Sequence, residues 1–191
     1  MARSVTRTLI LGGARSGKST EAERRLTVPG DGAYASVPAS VLYIATGGAR
    51  VGDAEWAERV GLHRERRPGS WETVESTDVA GVLRVADRPV LIDCLTLWLT
   101  AAMDEAGAWD DDAWSAGGQA ELAKRVDDLL AAWTSLSVPV IAVSNEVGLG
   151  IVPETAAVRR FRDEQGRLNQ RIAAVSESVV LMVAGIAVTV R

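Results

Sequence analysis

The chain alternates short, densely apolar runs with longer segments of helical period. Thr8 to Leu11, Val41 to Ala45, Pro89 to Ile92 and Val138 to Val143 are rich in Val, Ile and Leu at successive positions. A half-solvated strand alternates apolar with polar residues, so runs of this kind predict strands buried on both faces. Between them, Lys18 to about Leu26, Asp53 to Arg66, Leu95 to Met103, Glu121 to Ser135 and most of Pro153 to Ser176 carry helical patterning, with Pro68 and Gly69 stopping the second. Trp71 to Glu75 has strand composition, and Asp78 is placed to cap a short helix reaching Ala86. Two apolar runs around Gly185, from Val179 to Val190, predict a closing hairpin. Val28 to Ser40 and the Gly- and Asp-rich stretch Asp104 to Gly118 read as connections.

Strands alternating with helices predict an α/β domain built on a mostly parallel sheet, with helices on both faces and a C-terminal antiparallel edge hairpin. At 191 residues one domain accounts for the chain. Sheets of this kind bind ligands outside the carboxyl ends of their strands.

Gly12-Gly13-Ala14-Arg15-Ser16-Gly17-Lys18-Ser19 follows the first predicted strand and opens the first predicted helix. It matches the phosphate-binding pattern G-x-x-x-x-G-K-[ST] in full, which makes the architecture that of a P-loop NTPase. The glycines allow inward-facing N–H groups to wrap a phosphate, and the helix adds the positive end of its dipole. Lys18 is expected at the β- and γ-phosphates and the Ser19 hydroxyl at Mg²⁺. Asp93, closing the run Val90-Leu91-Ile92, is the candidate second metal ligand; its alternative role is to cap the helix that follows. Thr46 and Glu75, at the ends of the second and third predicted strands, complete the nucleotide-binding candidates.

Net charge of -4 argues against nucleic acid as the main partner, because phosphate backbones reward clustered positive charge. The lone cysteine, Cys94, has no internal disulfide partner, and no apolar run approaches the roughly 20 residues that span a bilayer. The apolar run at the N-terminus is too short for a signal-peptide core, so the reading is a cytoplasmic enzyme. The guanine-reading N-K-x-D motif of switch GTPases is absent, and the D-x-x-G matches at Asp78 and Asp104 are at chance level. A small-molecule transferase is the reading that remains.

Four segments sharpen it: GGARSGKS at Gly12 to Ser19, VLYIAT at Val41 to Thr46, LIDCLTLWLT at Leu91 to Thr100, and NEVGLGIVPE at Asn145 to Glu154. With RRFRDEQGRLNQ at Arg159 to Gln170, they resemble, nearly end to end, the bifunctional adenosylcobinamide kinase / adenosylcobinamide-phosphate guanylyltransferase family of cobalamin biosynthesis. The resemblance implies that ATP or GTP phosphorylates adenosylcobinamide. GMP from GTP is then transferred to the product through a GMP–histidine intermediate, giving adenosylcobinamide-GDP and pyrophosphate. It also implies Mg²⁺ and a homotrimer. The competing reading is a P-loop kinase of another hydroxylated metabolite, which needs no histidine.

His63 is the one histidine of the chain, so the implied phosphoramidate belongs there. It lies between Arg59 and Arg67 among four arginines able to neutralise a phosphate, and imidazole is a neutral nucleophile near physiological pH. On the residues alone, a solvated histidine on a helix face is the other reading. Some relatives carry two adjacent histidines where this chain has Leu62-His63, and relatives often place Asn where it has Ala101.

Asn145 and Glu146 follow a predicted strand and therefore stand at the sheet's carboxyl edge, either in the site or satisfying loop N–H groups. Pro153 suits the first turn of the next helix. Along that helix Arg159, Arg162 or Asp163, Gly166 and Gln170 share a face. The family pattern keeps Arg162, Asp163, Asn169 and Gln170, which points to substrate contact or a subunit interface.

Overall fold

The computed structural model describes residues 6–27, 38–48, 58, 61, 64 and 67–191. Seven strands form one sheet: β1 (Arg7–Gly12), β2 (Leu42–Ala45), β3 (Glu72–Glu75), β4 (Val90–Asp93), β5 (Val140–Asn145), β6 (Ser178–Val183) and β7 (Ile186–Thr189). Their spatial order is β3-β2-β4-β5-β1-β6-β7. Among the described strands all neighbouring pairs are parallel except β6 with β7, the predicted terminal hairpin.

Successive side chains of a strand point to opposite faces, and here both faces are dry. Leu9, Leu42, Ile44, Val90, Ile92, Val140 and Ala142 enter one core. Their neighbours Ile10, Val41, Tyr43, Leu91, Ile141 and Val143 enter the other. That is why these runs show no polar alternation. The first core is covered by α2 (Val79–Arg84), α3 (Leu95–Glu105), α4 (Gln119–Ser135) and α5 (Ala156–Ala174). The second is covered by α1 (Lys18–Thr27) through Ala22 and Leu26.

Asp78 caps α2 as expected, its carboxylate accepting from the Gly81 N–H at 2.9 Å. Two expectations need correcting. Much of Asp104 to Gly118 is helical: α3 runs to Glu105, Asp110 caps a turn at Asp111–Ala113, and a π-helical turn Trp114–Gly118 leads into α4. The aspartates counted there as loop residues include a cap. Pro153 does not open α5, because Thr155 is its N-cap, accepting from the Val158 N–H at 3.4 Å. Of the helix expected from Asp53 to Arg66, the described residues Glu58, Gly61 and Arg64 are helical.

Candidate functional site

The end of β1 and the start of α1 enclose the phosphate cradle. Gly12 has φ of +154°, and a Cβ there would stand 2.6 Å from both the Met182 carbonyl oxygen and the Ser16 Oγ. Gly17 has φ of +96°, with the hairpin turn at Gly185 packed beside it. A side chain at either position is excluded by backbone conformation, and at Gly12 by space as well. The Gly185 N–H donates to the Ser16 carbonyl at 3.1 Å, so the terminal hairpin braces the loop. Arg15 adopts a left-handed φ of 56°. Such alternation turns consecutive N–H groups toward one anion.

Lys18 is buried, and its Nζ donates to the Gly13 carbonyl at 2.6 Å, arching back over the loop. The Ser16 Oγ is buried and has no hydrogen-bond partner among the described residues, as suits a donor meant for a phosphate oxygen. The Ser19 hydroxyl stands 3.4 Å from Asp93 Oδ1. Asp93 is not the cap of α3, since Cys94 occupies that position. A hydroxyl and a carboxylate are the hard oxygen donors that Mg²⁺ takes alongside waters and nucleotide phosphates. Among the described residues no group of three or more His, Cys, Asp and Glu side chains could hold a metal. The Ser19 hydroxyl and the Asp93 carboxylate fit a nucleotide-borne Mg²⁺.

Asp93 has a second partner that the sequence reading missed. The Tyr43 hydroxyl donates to its Oδ2 at 2.6 Å. Burial, reinforced by the Asp93 charge, pushes the Tyr43 pKa up, so the phenol remains a donor. The Arg67 guanidinium lies 3.4 Å over the Tyr43 ring and donates to Thr73 Oγ1 at 2.9 Å. The signal was a tyrosine inside an otherwise apolar run, since a buried phenol needs a partner. Next to Asp93, burial and the carboxylate push the Cys94 thiol up to about 11, which leaves it inert as a nucleophile.

Thr46 is buried, and its hydroxyl is committed to the Cys94 backbone, donating to the carbonyl at 2.7 Å and accepting from the N–H at 2.9 Å. It ties β2 to the start of α3. Asn145 lies opposite Gly12 in the strand register, and the Glu146 N–H donates to the Gly12 carbonyl at 3.1 Å. The Asn145 peptide is held on both sides, its N–H by Thr96 Oγ1 at 2.9 Å and its carbonyl by the Asn169 amide at 3.0 Å. Asn169 is buried, and its Oδ1 accepts from Ser144 Oγ at 2.7 Å and from Gln165 Nε2 at 3.0 Å. Glu146 Oε1 accepts from the Gly148 N–H at 2.8 Å. On the outer face of α5, Arg162 donates to the Ile151 carbonyl at 3.1 Å, while Asp163 and Gln170 are exposed.

Residues 8–190 match the model of the family described as cobinamide kinase / cobinamide phosphate guanyltransferase. The chain belongs to that family. It is 39% identical over 189 residues to the bifunctional adenosylcobalamin biosynthesis protein CobU of Escherichia coli, covering 96% of this chain and 98% of that one. To the bifunctional adenosylcobalamin biosynthesis protein CobP of Pseudomonas aeruginosa it is 43% identical over 184 residues, 94% of each. A solved type III secretion ATPase shares the fold, with a TM-score of 0.53 at 13% identity over 96% of this chain; this chain spans 56% of that one.

In this cobinamide kinase / guanyltransferase relative, Glu75 stands apart from the cradle. It pairs with Arg64 at a cavity of about 410 Å³, lined also by Arg67, Pro68, Trp71 and Thr73. β3 lies four strand spacings from β1, roughly 19 Å. His63 and Leu62 lie outside the described residues. No helix among the described residues is long and apolar enough to cross a membrane.

Proposed function

We propose that this chain carries both activities of its family: it phosphorylates adenosylcobinamide, then converts adenosylcobinamide phosphate to adenosylcobinamide-GDP with GTP. The observation that carries the reading is a family match over residues 8–190 with an intact cradle inside it, Ser19 facing Asp93 at 3.4 Å. For the first step, the cradle N–H groups, Lys18 and the N-terminus of α1 gather the negative charge of the triphosphate. Mg²⁺, held by Ser19 and Asp93, would neutralise charge developing between the β- and γ-phosphates. The acceptor hydroxyl attacks the γ-phosphorus in line and the nucleoside diphosphate leaves. Asn145 and Glu146, fixed beside Gly12, are the side chains offered to that hydroxyl.

For the second step, the His63 imidazole attacks the α-phosphorus of GTP and pyrophosphate leaves. The phosphate of adenosylcobinamide phosphate then displaces the imidazole from GMP. The cavity at Arg64, Arg67 and Glu75 suits a nucleoside monophosphate in size. It offers guanidinium groups for phosphate and a carboxylate able to accept from guanine N–H groups. Arg162, Asp163 and Gln170 belong to the acceptor-contact or subunit-contact part of the proposal. A homotrimer in the cytoplasm completes it.

GTP labelled in its α-phosphate, incubated without corrinoid, is expected to leave one acid-labile, alkali-stable GMP on the protein. His63→Asn loses the label and guanylyl transfer but keeps kinase activity, because phosphorylation needs no nucleophilic side chain. A His63→Asn protein that still takes up label overturns the covalent route.

A further inference from the structure

The loop leaving β5 displays a set of apolar side chains that the nucleotide chemistry does not use. Leu149 is 88% exposed, Ile151 95% and Val152 67%. Scattered single exposures are ordinary, but three within four residues form a patch that implies a partner. The loop backbone is held in place. Arg162 takes the Ile151 carbonyl at 3.1 Å, and Arg159 takes those of Pro153 and Glu154 at 3.0 and 2.6 Å. Arg159 and Arg162 stand one helical turn apart on α5, so a single helix face fastens the loop. The carbonyls are tied down and the apolar side chains remain outside.

Position selects the occupant. Glu146, three residues before Leu149, donates its N–H to the Gly12 carbonyl, so Leu149 lies within about 11 Å of chain from the residue bonded to the cradle's first glycine. β5 also separates β1 from β4, the strand that ends in Asp93. The loop therefore leaves the sheet between the cradle and the metal carboxylate, on the side where the reactive end of the phosphate chain must lie. A second exposed apolar set, Val183, Ile186, Val188 and Val190, lies on and just after the β6–β7 hairpin, beyond β1 in the opposite direction.

We infer that Leu149, Ile151 and Val152 form the platform on which the corrin macrocycle of the kinase acceptor rests. The inference rests on the cobinamide-kinase reading above. A corrinoid joins a broad apolar ring face to its reactive hydroxyl through a short arm. Once that hydroxyl is in line with the γ-phosphate, the ring must lie against whatever borders the cradle on the Asp93 side. The pinned loop offers that border at little ordering cost on binding.

Steady-state phosphorylation of adenosylcobinamide by ATP and Mg²⁺ tests this with Leu149→Ser/Ile151→Ser, Leu149→Met, and Val188→Ser on the hairpin. The double variant is expected to raise the corrinoid KM at least about tenfold. Its KM for ATP and its mass by light scattering stay at wild-type values. Leu149→Met and Val188→Ser keep the wild-type corrinoid KM. An unchanged corrinoid KM in the double variant overturns the platform while leaving the kinase reading intact. A fall in mass accompanied by a raised KM for ATP overturns it too, assigning the loop to a subunit contact. A wild-type protein that phosphorylates no corrinoid sinks the functional reading itself.

Discussion

Ser19 Oγ and Asp93 Oδ1 stand 3.4 Å apart although 74 residues separate them in sequence. One opens α1 and the other closes β4, and β5 lies between β4 and β1. Asp93→Asn keeps the Tyr43 contact but removes the charge. It is expected to raise the Mg²⁺ concentration for half-maximal kinase activity by tenfold or more. Lys18→Ala is expected to lower phosphoryl transfer by at least about a hundredfold with the fold intact. Magnesium titrations of initial rate check the first, and single-turnover rates the second. Wild-type turnover in Lys18→Ala would show that the cradle is not catalytic.

Gly12→Ala places a methyl group 2.6 Å from the Met182 carbonyl, and backbone yields poorly. The φ of +154° adds strain of its own. The expected loss is more than about 1 kcal/mol, a fall of roughly 2–4 °C or more in Tm for a chain of this size. Gly13, where an added Cβ meets nothing within 4 Å, is the control: Gly13→Ala should melt close to wild type. Thermal melts of the two proteins decide it.

The polar network behind Asn145 gives an asymmetric expectation. Asn169→Leu leaves the Asn145 carbonyl without its side-chain donor and strips Ser144 and Gln165 of an acceptor, a loss of about 2–3 kcal/mol. Gln165→Met removes an amide whose Oε1 is already buried without a partner among the described residues, while Ser144 and Asn169 keep each other. Its cost should stay within about 1 kcal/mol. Equal losses in urea unfolding would contradict this division of the network.

Glu21, on the helix that carries the cradle, holds Arg24 at 2.7 Å and Arg25 at 2.8 Å. The Arg24 hydrogen bond lowers its pKa below 4.5; burial opposes this, and Arg25 lowers it further. Because the folded value is the lower one, the contribution is fully present above the unfolded pKa. It is lost as pH falls from about 4.5 through the folded value. Glu21→Gln should therefore destabilise the protein at pH 7 and converge on wild type as the pH falls from about 4.5 through the lowered folded pKa, read from unfolding midpoints along an acid series.

The parts of the site legible in the sequence depend on local backbone demands. Gly12, Gly17 and Lys18 lie within one stretch of seven residues, and the conformation the loop requires permits few others, so the cradle could be read directly. The strands could be read because burial on both faces abolishes alternation. Tyr43, Thr96 and Gln165 could not, since each acts through a partner 21 to 50 residues away. Their types, a phenol, a hydroxyl and an amide, are equally at home elsewhere. Asn169 was read as a site or interface residue, yet it is buried, turning toward β5 rather than sharing the outer face of α5 with Arg159 and Gln170. Pro153 misled because a proline suits both a helix start and the loop before one. The Thr155 hydroxyl decided between them.

The most direct test of the account is the mass of the corrinoid after incubation of the protein with adenosylcobinamide and Mg²⁺, in one arm with ATP and in the other with GTP. The account predicts adenosylcobinamide phosphate alone from ATP, and adenosylcobinamide-GDP with released pyrophosphate from GTP. An unmodified corrinoid in both arms, or an AMP-linked corrinoid from ATP, would contradict it.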